Sequence, residues 1–241
     1  MRRLLCILGL AGMLAAGLHA EEGSASPGVP ADEAWRMLDT GNDRFARELT
    51  LRPHTDAERR RELSHKERPW AVVVSASDSR VVPEIVFDQG LGDLYVIRNA
   101  GNIVKSEVEV ASIEHAVTQL GANLVVVLGN SKNEAVRAAV EGVRKSDKDS
   151  QAKLAEDLQP AVDEARDKVG GLSGDALLAE ANEKNVLFEI KQLLKASPVV
   201  AEAVESGKVK VVGGVYHLEN NRVEWLGEHP SQKAIVEGKK P

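Results

Sequence analysis

Cysteine is almost absent from this chain. The single one, Cys6, falls inside an apolar run from Leu4 to Leu18 that follows Met1-Arg2-Arg3 and gives way to His19-Ala20 before Glu21-Glu22. That layout reads as a secretory signal over residues 1–20, cleaved after Ala20. The run is shorter than the ~20 residues a membrane-spanning helix needs, and a retained anchor is the alternative. An exported, periplasmic protein cut at that point has no membrane contact and no thiol, which excludes disulfides and any cysteine-held metal. Aromatic residues are also scarce, at 3% against 43% hydrophobic and 28% charged. Such a chain suits one globular α/β domain with an aliphatic core rather than a disordered or fibrous protein. Nor is there an excess of basic charge. The 31 Lys and Arg stand against 37 Asp and Glu, and losing Arg2 and Arg3 with the signal leaves 29 against 37, a net charge of −8. This argues against nucleic acid as a partner.

After the signal, residues 21–30 are rich in Gly, Ser and Pro and read as a flexible leader, residues 31–230 as the domain and residues 231–241 as a C-terminal tail. Ala31 to Leu38 reads as a short helix, with Asp32 and Glu33 in its first turn and an interruption at Gly41-Asn42. Asp56 to Arg68 is densely charged and reads as a solvated helix face, with His54 and His65 as surface residues. Val72-Val73-Val74 is a buried strand that breaks into Ser75-Ala76-Ser77-Asp78-Ser79-Arg80, and Pro83 and Gly90 bracket the helix that follows. Leu94 to Ile97 reads as a second buried strand. Ser106 with Glu109 forms a capping box, and Val110, Ile113, Val117 and Leu120 share a helix face that ends at Gly121, with His115 off it.

Leu124 to Gly129 is the third buried strand, followed by Asn130-Ser131-Lys132-Asn133-Glu134 and a helix face of Val136, Val140 and Val143. Three strand-loop-helix units in a row imply parallel strands, so the loops after the first and third can meet at one edge. In open α/β sheets that edge is where ligands bind. Lys145 to Gly174 reads as a variable helical excursion. Beyond it, Leu187, Ile190 and Leu194 define a helix, and Ser197-Pro198 starts another that ends near Gly207. Val209 to Leu218 and Arg222 to Leu226 are a strand and its hairpin partner. The expected fold is therefore α/β, a mostly parallel central sheet of four strands plus an antiparallel edge strand, flanked by helices.

The segments Ser75 to Glu84, Phe87 to Leu94, Arg98-Asn99-Ala100-Gly101-Asn102, and Ser197 on through Tyr216 to Leu226 resemble the β-class carbonic anhydrases over about residues 31 to 227. The resemblance implies that fold, CO₂ hydration to bicarbonate, a catalytic zinc held by Cys, His and Cys, and a homodimer or higher homo-oligomer. It also implies that Ala34 through Phe45 lies across a partner subunit; packing on its own domain is the alternative. Zinc in such a site lowers the pKa of bound water from about 15.7 to about 7. Here the three ligand positions carry Ala76, Asn130 and Asn133. An alanine cannot coordinate, and a neutral amide oxygen is a weak donor to Zn²⁺.

By the same resemblance Asp78 and Arg80 are the pair that orients the aspartate relative to metal-bound water, and Gln89 faces substrate. A charge-assisted bond that fixes the loop and the dimer edge explains Asp78 and Arg80 without chemistry and is the favoured reading. The expectation is thus a divergent member without zinc or any other cofactor and without confident catalytic residues, acting as a binding or structural homodimer. Ser77, Asp78, Arg80, Gln89, Asn130, Ser131 and Asn133 are the candidate lining for a small anion such as bicarbonate. The alternative is a carbonic anhydrase with a different metal set or none, drawing on His54, His65, His115, His217 or His229.

Overall fold

The computed structural model describes residues 28–142, 150–168, 171 and 173–238. The signal and most of the leader lie outside them, as do Val143 and Gly170. Five strands form one sheet: β1 (Ala71–Ala76), β2 (Leu94–Asn99), β3 (Leu124–Asn130), β4 (Lys210–His217) and β5 (Arg222–Gly227). Their order is β2-β1-β3-β4-β5. The first four neighbours run parallel and β5 pairs antiparallel with β4. This is the expected α/β architecture. Every residue of β1 and β3 is buried, because helices cover both faces of the sheet, and that is why these strands read as unbroken aliphatic runs. At the sheet edge β2 is only half-buried from Tyr95 to Ile97, which corrects its reading as a second buried strand.

One face carries α1 (Ala31–Ala46) and the short α3 (Pro83–Val86), packed on Val73, Val126, Leu128 and Val212. The other carries α4 (Glu107–His115), α7 (Gly174–Ala196), α8 (Pro198–Glu205) and α9 (Gln232–Val236), packed on Val72, Val74, Val125 and Val211. A third cluster joins α5 (Glu134–Glu141), α6 (Ser150–Lys168) and the start of α7 through Leu158, Val162 and Leu178. The charged α2 (Ala57–Leu63) buries none of its residues, in keeping with its composition. Ser106 and Glu109 complete the capping box of α4, which passes into a π-helical turn over Ala116–Leu120 before Gly121 closes it in the left-handed region.

Three local expectations fail. The first helix does not stop at Leu38: α1 runs on to Ala46, through Gly41 and Asn42, both buried. A Cβ at position 41 would lie 1.8 Å from the Phe87 carbonyl oxygen, so glycine lets α1 press against the backbone after α3. Asn42 Nδ2 donates to the carbonyls of Val86 (3.1 Å) and Asn221 (3.0 Å), and its Oδ1 accepts from the Val223 N–H at 2.8 Å. These bonds, with Trp35 edge-on to Trp225, pack α1 on its own domain. Second, α3 ends at Val86, well before Gly90. Third, the expected tail from residue 231 forms α9, whose Ile235 and Val236 pack on the core. The last leader residues are pinned as well, with Asn123 Nδ2 donating to the Val29 carbonyl at 2.9 Å.

Candidate functional site

The candidate residues sit at the carboxyl edge of the sheet. Because β1 and β3 are parallel neighbours, with Ser75 level with Leu128, the loops that follow them leave the same edge side by side. Arg80 ties them together: its Nη2 lies 3.4 Å from the Lys132 carbonyl oxygen.

Within the first loop Asp78 accepts from Arg80 three times, from its backbone N–H (2.9 Å), Nε (2.9 Å) and Nη2 (2.6 Å). This planar fork is the strong form of an ion pair. The hydrogen bond from Arg80 holds the Asp78 carboxyl below the usual carboxylate range, and Asp78 in turn raises Arg80. Arg98, from β2, braces the same loop by donating to the carbonyls of Ala76 (3.3 Å) and Asp78 (2.7 Å). Ser77 is exposed, its N–H bonded to the Asn99 carbonyl at 2.9 Å.

The second loop is built from buried amides. Asn130, fully buried at the end of β3, accepts the Lys132 N–H on Oδ1 at 3.1 Å, while its Nδ2 has no partner. Asn133 caps α5, its Oδ1 accepting from the Ala135 N–H at 3.2 Å. Its Nδ2 donates to Asn102 Oδ1 at 3.0 Å. Asn102 follows Gly101, which adopts φ +84° in the turn after β2 as its place in that tight loop leads one to expect. Asn102 is fully buried and its own Nδ2 lacks an acceptor. The free N–H donors here therefore belong to Asn130 and Asn102, not to Asn133. Asn102 escaped the candidate list because nothing local distinguishes it from a scaffold asparagine.

Two candidates are held elsewhere. Ser131 Oγ donates to Glu219 at 2.8 Å and accepts from the Leu218 N–H at 3.1 Å, so it fastens the loop to the β4–β5 turn. Gln89 donates to the Phe87 carbonyl at 2.8 Å and faces Gly41 of α1; no bond joins it to the Asp78 loop. Of the histidines, His54 bonds Asp93 at 2.7 Å, His217 bonds Glu224 at 2.9 Å and His115 is exposed. Among the described residues no group of three or more His, Cys, Asp or Glu could hold a metal ion.

The family model for carbonic anhydrase matches residues 71–223, more than half of the chain and the whole of the edge just described. The chain belongs to the β-class carbonic anhydrase family. It is 37% identical over 193 residues to a carbonic anhydrase of Mycolicibacterium smegmatis, covering 79% of this chain and 91% of that protein. The solved β-carbonic anhydrase CcaA superposes with a TM-score of 0.64 at 26% identity, covering 80% of this chain and 91% of that one. A β-carbonic anhydrase of Sordaria macrospora, described as tetrameric, matches in fold with a TM-score of 0.63 at 22% identity, over 69% and 85%.

The zinc of a carbonic anhydrase needs lone pairs converging on one point. Ala76 offers none. The atom left free on Asn130 is an N–H donor, the wrong polarity for a cation. Both amide atoms of Asn133 are already bonded, one to the first turn of α5 and one to Asn102. These three positions do not fit the metal.

Proposed function

We propose that this chain is a non-catalytic, zinc-free member of the β-class carbonic anhydrases, exported and acting as a binding or structural homo-oligomer. The observation that carries the reading is Asn133. At a position where the family resemblance calls for a thiolate, its amide bridges α5 and the turn after β2. The bond to Asn102 makes the mutual hold of these segments independent of a metal. Without metal-activated water, nothing else at the edge generates hydroxide near neutrality: Asp78 is held ionised by Arg80 and is a poor proton acceptor.

In its binding form, the reading takes a small anion such as bicarbonate as the ligand of the relict edge, with Arg80 supplying the charge and the asparagines the amide donors. Assembly is supported by exposed Leu49, Leu51, Ile85 and Leu91 around the end of α1 and α3, a concentration of apolar surface that suits a subunit contact. The tetrameric relative points the same way. Export rests on the signal-like layout of residues 1–20.

The second reading is a working carbonic anhydrase with a non-standard metal site or none, and the name of the 37%-identical relative favours it. Stopped-flow CO₂ hydration with elemental analysis of purified protein separates the two. The zinc-free reading expects no turnover above buffer and substoichiometric metal; stoichiometric zinc with pH-dependent turnover overturns it. Restoring the ligands by Ala76→Cys, Asn130→His and Asn133→Cys together should recover metal binding. A folded triple variant that stays metal-free would show that these positions do not surround one point.

A further inference from the structure

The turn after β2, α6 and α7 enclose a cavity of about 190 Å³, rimmed by the exposed Lys105, Glu156 and Pro160. Glu189 of α7 lines it and is only 2% exposed. One of its carboxyl oxygens, Oε2, accepts the Val104 N–H at 2.7 Å. The other, Oε1, accepts no hydrogen bond among the described residues. It is not sealed off as the unpartnered amide nitrogens of Asn102 and Asn130 are, and its open surface is toward the cavity. Gln192, three residues further along the same helix face, also lines the cavity, half-buried and without a hydrogen bond among the described residues.

A buried carboxyl with one hydrogen bond and no cation of its own is costly. Lys105 does not supply the cation, because its ammonium is bound to Asp157. The other charged groups near Glu189 are acidic: Glu109 on α4 and Asp157 on α6, with Glu156 on the rim. Burial first, and then the fields of Glu109 and Asp157, lift the Glu189 pKa to about 7 against the pull of the Val104 N–H and Lys105. The remaining walls are apolar, from Ile103, Val104, Pro160 and Phe188. An occupant that completes the bonding therefore carries a positively charged donor at one end and a hydrocarbon body at the other. The volume is close to that of a cavity known to admit a single benzene ring, which limits the guest to about half a dozen non-hydrogen atoms.

We infer that this cavity is a binding site for a small organic cation, an alkylammonium in its simplest form. The ammonium donates to Glu189 Oε1 and to the side-chain carbonyl of Gln192, and the alkyl chain lies on Ile103, Pro160 and Phe188. A bound cation favours the ionised carboxylate, so binding releases a proton below pH 7 and tightens as pH rises to that value. None of these residues belongs to the vacated metal positions, so the inference stands or falls separately from the zinc-free reading.

The test is calorimetric titration of the purified protein with n-butylammonium at pH 5.5 and pH 8, with butyrate and 1-butanol as parallel probes at matched ionic strength. The expected result is saturable binding of the cation alone, at least tenfold tighter at pH 8 than at pH 5.5. Glu189→Gln keeps an acceptor for the Val104 N–H, so the chain should fold; it should weaken binding at least tenfold at pH 8 and erase the pH dependence. Binding undetectable at tens of millimolar butylammonium overturns the inference. So does equal affinity for 1-butanol or butyrate, or an affinity that neither pH nor Glu189→Gln alters.

Discussion

Single side chains decide more here than their type suggests. Asn42 would pass for a helix breaker, yet it satisfies three backbone groups, on α3, on β5 and in the turn before β5. Asn42→Ala should lower unfolding free energy by about 2–3 kcal/mol, since it leaves a buried donor and acceptors unmet, as urea denaturation would show. Glu189 is another such residue. It is 2% exposed on α7, accepts the Val104 N–H at 2.7 Å, and burial lifts its pKa to about 7. The folded state thus holds its proton more tightly than the unfolded chain does. As pH rises from the ordinary value of 4.5 toward 7 the unfolded chain ionises first, so stability falls across that window and levels off above it. At about 1.4 kcal/mol per pH unit, Glu189→Gln should gain on the order of 2–3 kcal/mol at pH 8 and almost nothing at pH 4, read from unfolding curves at the two values. Asn102 and Glu189 were not legible as special in the sequence, because an amide or carboxylate acquires its role from what it meets across the fold.

At the level of elements, legibility follows the range of the deciding interaction. The capping box of Ser106 and Glu109, the left-handed stop at Gly121 and the Ser197-Pro198 start of α8 are local devices, and each is where the sequence pattern puts it. Ser106→Ala should cost about 1 kcal/mol, the usual worth of a cap, visible as a lower midpoint of thermal unfolding. The continuity of α1 is different. Gly41 weakens a helix by about 0.5–1 kcal/mol in isolation, but the contact that makes it indispensable lies on Phe87, far along the chain. Gly41→Val should therefore destabilise far beyond any propensity scale. A chain still folded as firmly as the parent in urea would contradict the close approach. Likewise β2 carries the same aliphatic run as its neighbours and is half-exposed only because it lies at the edge, a fact about sheet order rather than composition.

For the whole molecule, two strands buried on both faces identify a parallel sheet, and the sheet order brings the loops after β1 and β3 together at one edge. The surface is harder to read than the core. Leu49, Leu51, Ile85 and Leu91 come from separate segments, held by long-range bonds such as those of Leu51 to Asp88 and of Leu91 to His54. Leu51→Asp with Ile85→Asp should shift the protein from oligomer to monomer in light-scattering measurements without loss of helical circular dichroism. A double variant with unchanged mass would place the subunit contact elsewhere.

The amide bridge from Asn133 to Asn102 also bears on how the polypeptide matures. A thiolate clasp must wait for its ion, competes with every chelator it meets and is open to oxidation, whereas a carboxamide pair closes as soon as the backbone arrives. The same chain should renature from urea to the same midpoint in EDTA and in added zinc, a self-sufficiency suited to surroundings where metal supply fluctuates.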